Sequence, residues 1–183
     1  MKLAILLSVF SPWFLMIIMR PTGFKPVGPL ISQTTHTALT ETNTYQSQSP
    51  IGKLVSNKFI YTAREMVVRF VETFDPHYLF LEGDLNYDRS TQKNGPLFVS
   101  VFVLALLYPK KKAWKWGFLL LSPTMLFDEH FFSPSKILFF IFVGYLAGLQ
   151  LSSLNKNQKI VFWIAWLFEF SLFAHSFVFH YLT

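Results

Sequence analysis

The residues best suited to chemistry lie in one polar stretch, ETFDPHYLFLEGDLNYDRSTQKNG, which runs from Glu72 to Gly95. This stretch holds five of the ten carboxylates in a chain that is 52% hydrophobic. Gly83, Asp84 and Asn86 form a pattern typical of a tight turn, because Asp and Asn side chains bond nearby backbone groups. Two interpretations are open: an Asx-type turn that shapes the loop, or a ligand pocket lined by Asp84 and Asn86.

Two cations in the same stretch, Arg89 and Lys93, are candidate ligands for a phosphate group. Charge-assisted hydrogen bonds to phosphate are strong, so cations of this kind suit such a ligand. The alternative is a solvated loop face, which is the commoner use of such residues. The candidate substrate-binding residues are therefore Asp84, Asn86, Arg89 and Lys93.

A second polar group, formed by Asp128, Glu129 and His130, contains the residue types that bind hard cations such as Mg²⁺, Mn²⁺ or Ca²⁺. These residues are adjacent and follow no defined ligand spacing, so a divalent cation is only a candidate cofactor. The chain has no cysteine, which excludes disulfides and cysteine-based metal sites. No Ser/His/Asp order, phosphate-binding loop or dinucleotide fingerprint occurs, and the sequence identifies no catalytic residue.

The composition indicates that membrane helices position these polar groups. The 22 phenylalanines and a mean hydropathy of +0.38 are too apolar for a typical soluble domain. The net charge of +6 does not indicate nucleic-acid binding, because its excess lies in short breaks between apolar runs. The lysines in these breaks are Lys2, Lys110, Lys111, Lys112, Lys115, Lys156 and Lys159.

Five apolar segments predict an all-α, polytopic membrane protein with about five transmembrane helices. They cover residues 3–19, 97–108, 114–127, 137–154 and 160–182. Residues 1–19 are predicted to be an uncleaved membrane anchor, with a secretory signal peptide as the alternative. Segments 97–108 and 114–127 are short for a hydrocarbon core of about 30 Å, so a re-entrant hairpin is the alternative for this pair.

One large extracytoplasmic loop is predicted over residues 20–95, followed by a four-helix membrane region over residues 96–183. Within the loop, helical spacing predicts an amphipathic helix over residues 60–74, on the membrane surface or against the bundle. Its apolar face is Ala63, Met66, Val67, Phe70, Val71 and Phe74, and its polar face is Arg64, Glu65, Arg69 and Glu72. The lysine-rich breaks predict a cytoplasmic N-terminus and an extracytoplasmic C-terminus.

Two features inside the apolar segments are candidates for helix packing or partner binding. Gly144 and Gly148 form a GxxxG pattern, which lets helices approach closely in lipid. Glu169 lies in the last segment, where an ionisable group costs about 2.5–3.5 kcal/mol to insert and is a functional candidate by default. The alternatives for Glu169 are a hydrogen bond to a neighbouring helix and a contact with a partner chain.

Residues 54–98 resemble a segment of bacterial membrane glycosyltransferases of the GT-C class, similar to dolichyl-phosphate-mannose–protein mannosyltransferases. The resemblance rests on the unusual order FxPxxLFxxGDxN and extends to about residue 150. The matching residues are Asn57, Lys58, Phe74, Pro76, Phe80, Leu81, Gly83, Asp84, Asn86, Ser90, Gly95 and Phe98. It implies a bacterial plasma-membrane protein with a polyprenyl-phosphate-linked sugar as a ligand.

The chain departs from that family in two places. Asp88 and Arg89 stand where the family has an Arg-His pair, and the region after the first helix holds no Asp and only Glu41. Members of the family carry catalytic carboxylates in that first loop, so the resemblance is to a C-terminal half without its catalytic half. It implies a glycosyltransferase-like module that helps bind the sugar donor or its acceptor, with a partner chain supplying catalysis. The alternatives are a non-enzymatic membrane scaffold or adaptor, or a degenerate remnant.

Overall fold

The structure is a computed structural model that describes residues 2–19, 40, 58–83, 93–122 and 134–181. The regular elements are α1 (Lys2–Val9), α2 (Pro12–Met19), α3 (Lys58–Glu72), a π-helical turn (His77–Leu81), α4 (Val99–Leu106), α5 (Lys111–Leu121), α6 (Pro134–Ser153) and α7 (Lys156–Tyr181). The residues described contain no strand, so the predicted all-α class is confirmed.

Two helices, α6 and α7, are long and apolar enough to cross a membrane, through Lys136–Ser153 and Lys156–Phe179. α1 and α2 meet the same criterion only together, as a pair bent by 59°. The bend falls where Pro12 begins α2, because proline has no N–H with which to continue the preceding helix. By length and composition, the described residues hold two membrane-spanning helices, or three if the bent pair is one span.

The two short apolar segments form α4 and α5, with 8 and 11 residues. At 1.5 Å per residue these helices are about 12 and 16 Å long. A hydrocarbon core is about 30 Å thick, so the described part of each helix is shorter than one membrane crossing. Both pack on α6, where they help to build its buried face.

α6 is the centre of the bundle and contacts α1, α4 and α5. A Cβ built on Gly148 would lie 2.6 Å from the Ala4 Cα, and one built on Gly144 would lie 2.5 Å from the Ser8 Oγ. Small residues on both helices therefore allow α1 and α6 to pack closely. The side chains of α6 that are almost completely buried include Phe139, Phe140, Val143, Leu146 and Leu151.

α3 packs on this bundle through the aromatic part of its predicted apolar face, Phe70 and Phe74, with the packed side turned towards Arg69. The Phe74 ring, just after the helix, lies 5.8 Å from the Phe118 ring of α5, centroid to centroid. Arg69, expected on the polar face, is 2% exposed, whereas Val67 and Val71, expected on the packed face, are 58% and 60% exposed. The aromatic contacts determine the rotation of α3, because phenylalanine rings bury more surface than valine side chains.

α7 lies at the edge of the bundle and packs mainly on α4. Only 22% of its membrane span is buried, compared with 50% for α6. Large apolar side chains of α7, such as Val161, Ile164 and Phe168, are 64–67% exposed. The two spanning helices therefore have different surroundings.

Candidate binding site

A half-open cavity of about 360 Å³ lies between the π-helical turn, residues 93–99 and α7. Its apolar wall includes Phe80, Leu97, Phe98, Phe168 and Leu172, and its polar lining residues are Lys93, Asn94 and Glu169. This volume lies within the range of small-molecule sites, about 300–1,000 Å³. A larger groove of about 440 Å³, on the other side of the α4–α7 contact, has no ionisable side chain in its lining. The smaller cavity is therefore the better candidate for polar recognition among the described residues.

Main-chain contacts with the π-helical turn form one wall of this cavity. Gly95 lies so close to the turn that a Cβ would overlap the Leu79 carbonyl oxygen, which only glycine avoids. The Leu97 N–H donates to the same oxygen at 3.1 Å. Gly83, two residues after the turn, has a φ of 71°, in the left-handed region that favours glycine. The absence of a side chain at Gly95 thus allows residues 95–97 to lie directly on the turn.

Glu169 of α7 caps the first turn of α4. The Ser100 N–H donates to Glu169 Oε1 and Oε2 at 3.2 Å each, and the Ser100 Oγ donates to Oε2 at 2.5 Å. The first N–H groups of a helix have no acceptor within that helix. The N-cap residue of α4 is Phe98, whose side chain offers no acceptor. The carboxyl group of a second helix therefore accepts from one of these donors, the Ser100 N–H, and joins α7 to α4.

An aromatic cluster stabilises the same contact between α4 and α7. The Phe98 ring meets Trp166, Phe170 and Phe173 edge-to-face, with centroids 6.2–6.5 Å apart. Trp166 and Phe170 are themselves stacked at 5.3 Å. Such pairs contribute about 0.5–1.5 kcal/mol each beyond the burial of their area. The cluster positions α7, and with it the carboxyl group of Glu169.

The residues that line the cavity suit an amphiphilic ligand, with one polar and one apolar part. Lys93 is exposed, whereas Asn94 and Glu169 are half-buried. A lysine ammonium binds phosphate or carboxylate, and the aromatic and leucine wall can hold an apolar group beside it. Both oxygens of Glu169 accept hydrogen bonds from Ser100, which makes this residue a helix cap in the described structure. The cavity therefore combines a cation, an amide and an apolar wall.

The predicted site residues fall into three groups. Lys93 and Glu169 line the same cavity, which brings a loop candidate and an intramembrane candidate together. Gly144 and Gly148 lie elsewhere, in the contact between α6 and α1. The others lie outside the described residues, namely Asp84, Asn86, Arg89, Asp128, Glu129 and His130. Within the part of the chain that is described, no three His, Asp or Glu residues are grouped to hold a metal ion.

Sequence reasoning did not single out two residues that the fold places in prominent positions. Ser100 is the donor to Glu169. Two features of the sequence could have suggested this pair: α4 starts at Phe98, which has no capping side chain, and Glu169 is the one carboxyl group in its apolar segment. Lys136 is completely buried in α6, and its Nζ lies 4.6 Å from the centre of the Tyr78 ring. This cation–π contact joins two distant segments, and no local pattern in the sequence predicts it.

Comparison with protein-family models, with curated protein sequences and with solved structures gives no match to this chain.

Proposed function

We propose that this chain is a glycosyltransferase-like membrane module of the GT-C class, which binds a polyprenyl-phosphate-linked sugar, or its acceptor, on the extracytoplasmic side. The observation that supports it best is the cavity in which Lys93 lies beside an apolar wall at the membrane-helix α7. The order FxPxxLFxxGDxN between Phe74 and Asn86 is a second, independent support.

A polyprenyl phosphate has an anionic head on a long apolar chain, and the cavity matches both parts. The ammonium group of Lys93 suits the phosphate, and the wall formed by residues such as Phe80, Phe168 and Leu172 suits the adjoining isoprenoid units. A cavity of about 360 Å³ is too small to hold a whole lipid-linked sugar, so the remainder of the ligand extends into the membrane.

The module is proposed to bind and not to catalyse transfer alone. Glycosyl transfer needs a base that activates the acceptor. Glu169 is engaged as the hydrogen-bond acceptor for the start of α4. Between the first helix and residue 60, where the resembling enzymes carry their catalytic carboxylates, this chain has Glu41 as its one carboxylate. A membrane partner chain is proposed to supply the catalytic carboxylates.

The topology that accompanies this proposal has five membrane segments, with α4 and α5 as the two short ones. The N-terminus is cytoplasmic, residues 20–95 form the large extracytoplasmic loop, and the C-terminus is extracytoplasmic. Its support is the position of the lysines, because cytoplasmic loops carry an excess of Lys and Arg.

The test is binding of a photoreactive polyprenyl phosphate to the full chain in lipid nanodiscs. Lys93→Ala is expected to weaken labelling by about tenfold, as loss of a hydrogen bond to a charged group costs about 1.5–3 kcal/mol. Lys115→Ala is the matched control, since Lys115 is an exposed lysine of α5 outside this cavity.

A photoreactive polyprenol without phosphate gives the second control, and it is expected to label both variants and the wild type equally. Equal labelling of Lys93→Ala and Lys115→Ala by the polyprenyl phosphate would rule out the cavity as the phosphate site.

A second candidate function, a non-enzymatic membrane scaffold or adaptor, is favoured by the exposure of α7. Gly148 and Glu169 make contacts within the chain, which leaves the outer side of α7 as the surface for a partner. Purification from source membranes in mild detergent, with mass spectrometry of the retained proteins, separates the two candidates. A stoichiometric partner with first-loop carboxylates supports the glycosyltransferase module, and an unrelated partner supports the scaffold. Recovery of the chain without any partner contradicts both candidates, because the glycosyltransferase module and the scaffold each need one.

A further inference from the structure

A second concave surface lies at the opposite end of the α4–α7 contact from Lys93. It is a groove of about 440 Å³, and its polar lining comes from Ser100, Asn157 and Gln158. Its apolar lining includes Val103, Leu104, Leu107, Leu154, Val161 and Phe162. Three of these apolar side chains are also open to the surroundings, with exposed fractions of 47% for Val103, 61% for Leu107 and 67% for Val161. The groove is therefore accessible from the hydrocarbon phase.

Two lysine-rich breaks meet at the end of this groove. Leu107 and Asn157 line the same groove, so the end of α4 and the start of α7 lie together. Lys110 follows Leu107 by three residues, which limits the separation of their Cα atoms to about 11 Å. Lys156 directly precedes Asn157. The fold thus brings the two lysine-rich breaks together at one end of the apolar groove.

The two segments that form this end of the groove carry charge of one sign. Lys110, Lys112 and Lys156 are all exposed. Residues 97–122 and 134–168 contain no Asp or Glu at all. A basic group at the end of an apolar groove between membrane helices has the chemistry that binds anionic lipid head groups.

We propose that this groove binds an anionic phospholipid, with one acyl chain between α4 and α7 and the phosphate beside Lys110, Lys112 and Lys156. The acyl chain covers apolar side chains that α4 leaves exposed on α7. The phosphate brings opposite charge to lysines that lie at the interface of the same leaflet. The lipid thereby fills the groove between the C-terminal part of α4 and the N-terminal part of α7.

A phospholipid fits this site better than a peptide does. A peptide in the hydrocarbon phase needs partners for its own backbone groups, and the groove offers few polar atoms along its length. The bilayer also supplies phospholipid at high local concentration. The inference does not depend on the proposed glycosyltransferase role, because the groove and the cavity at Lys93 have different polar residues.

The first arm of the test fills the groove. The full chain in mild detergent is titrated with dioleoyl-phosphatidylglycerol, and separately with dioleoyl-phosphatidylcholine, and bound lipid is counted by native mass spectrometry. Val161→Phe places a ring in the groove and is expected to weaken binding of both lipids by about tenfold. Ile164→Phe is the matched control, because Ile164 is equally exposed on α7 but lies outside the groove. Equal binding by the two variants overturns the proposal.

The second arm removes the charge. The triple variant Lys110→Gln, Lys112→Gln and Lys156→Gln is expected to bind phosphatidylglycerol no better than phosphatidylcholine, with a loss of about fivefold for each lysine that contacts the head group. Phosphatidylcholine binding is expected to stay unchanged. Arg64→Gln removes an exposed cation from α3 and is expected to have no effect. A wild-type chain that does not distinguish the two lipids also overturns the proposal.

Discussion

α6 and α7 are both apolar helices long enough to cross a membrane, yet they are packed in opposite ways. Half of the α6 span is buried within the chain, compared with 22% of the α7 span. α6 has Gly144 and Gly148 against the small residues of α1. α7 has bulky aromatic residues, a cavity or groove on each side of its contact with α4, and a hydrogen-bonded carboxyl group at that contact.

The difference shows how helices associate in lipid, where the hydrophobic effect does not drive one helix onto another. Lipid chains are as apolar as leucine, so close packing and hydrogen bonds must hold such helices together. α6 relies on close packing, because glycine brings backbones together. α7 relies on Glu169, Ser100 and the aromatic cluster around Phe98. The two helices should therefore respond differently to the same kind of substitution.

The largest difference is expected for matched phenylalanine truncations. Phe139→Ala on α6 should destabilise the protein by about 3–5 kcal/mol, because Phe139 is completely buried. Phe168→Ala on α7 should change stability by less than about 0.5 kcal/mol, because Phe168 is 64% exposed. Unfolding in sodium dodecyl sulfate, followed by circular dichroism, measures both. Similar losses for the two variants would show that α7 is packed as tightly as α6.

The next effect concerns the glycine contact of α6. Gly148→Leu should destabilise the protein by about 1–3 kcal/mol, because its Cβ alone would meet the Ala4 backbone at 2.6 Å. The same unfolding assay applies. Ser152→Leu adds the same side chain one turn later at an exposed position and should cost little. If the two leucine variants unfold together, close approach of α1 is not what stabilises α6.

The smallest effect concerns the polar contact of α7. Glu169→Gln and Ser100→Ala should each destabilise the protein by about 1 kcal/mol, since interhelical hydrogen bonds in membranes contribute about 0.6–1.7 kcal/mol. In a double-mutant cycle the two losses should add less than fully, because both variants alter the bond between the Ser100 Oγ and Glu169 Oε2, while the Ser100 backbone N–H stays in place. Fully additive losses would mean that the Glu169–Ser100 bond does not hold α7 to α4.

Local patterns in the sequence predicted the helices themselves well. The helix predicted over residues 60–74 is α3 (Lys58–Glu72), and the segments at 137–154 and 160–182 correspond to α6 and α7. These elements follow from apolar spacing and run length, which are properties of neighbouring residues. The number of membrane crossings did not follow as directly, because the described helices α4 and α5 have only 8 and 11 residues.

The side chains of the site were less predictable than the helices. Lys93 was proposed from its charge and loop position, and Glu169 from the cost of an ionisable group in lipid. Their place in one cavity depends on the packing of α7 beside residues 93–99. The sequence left open whether Glu169 contacts a neighbouring helix or a partner chain. The contact with a neighbouring helix could be identified only from the position of Ser100, which lies 69 residues away in the sequence.

The sequence by itself determined that this protein is helical, that long apolar runs end in lysine-rich breaks, and that Gly144 and Gly148 can pack closely. These properties arise from composition and local spacing. Only the tertiary structure decided which face of α3 is buried, which residue caps α4, and which helix remains exposed. Each of these depends on contacts between distant segments, such as Phe74 with Phe118 and Glu169 with Ser100, whose geometry no local pattern specifies.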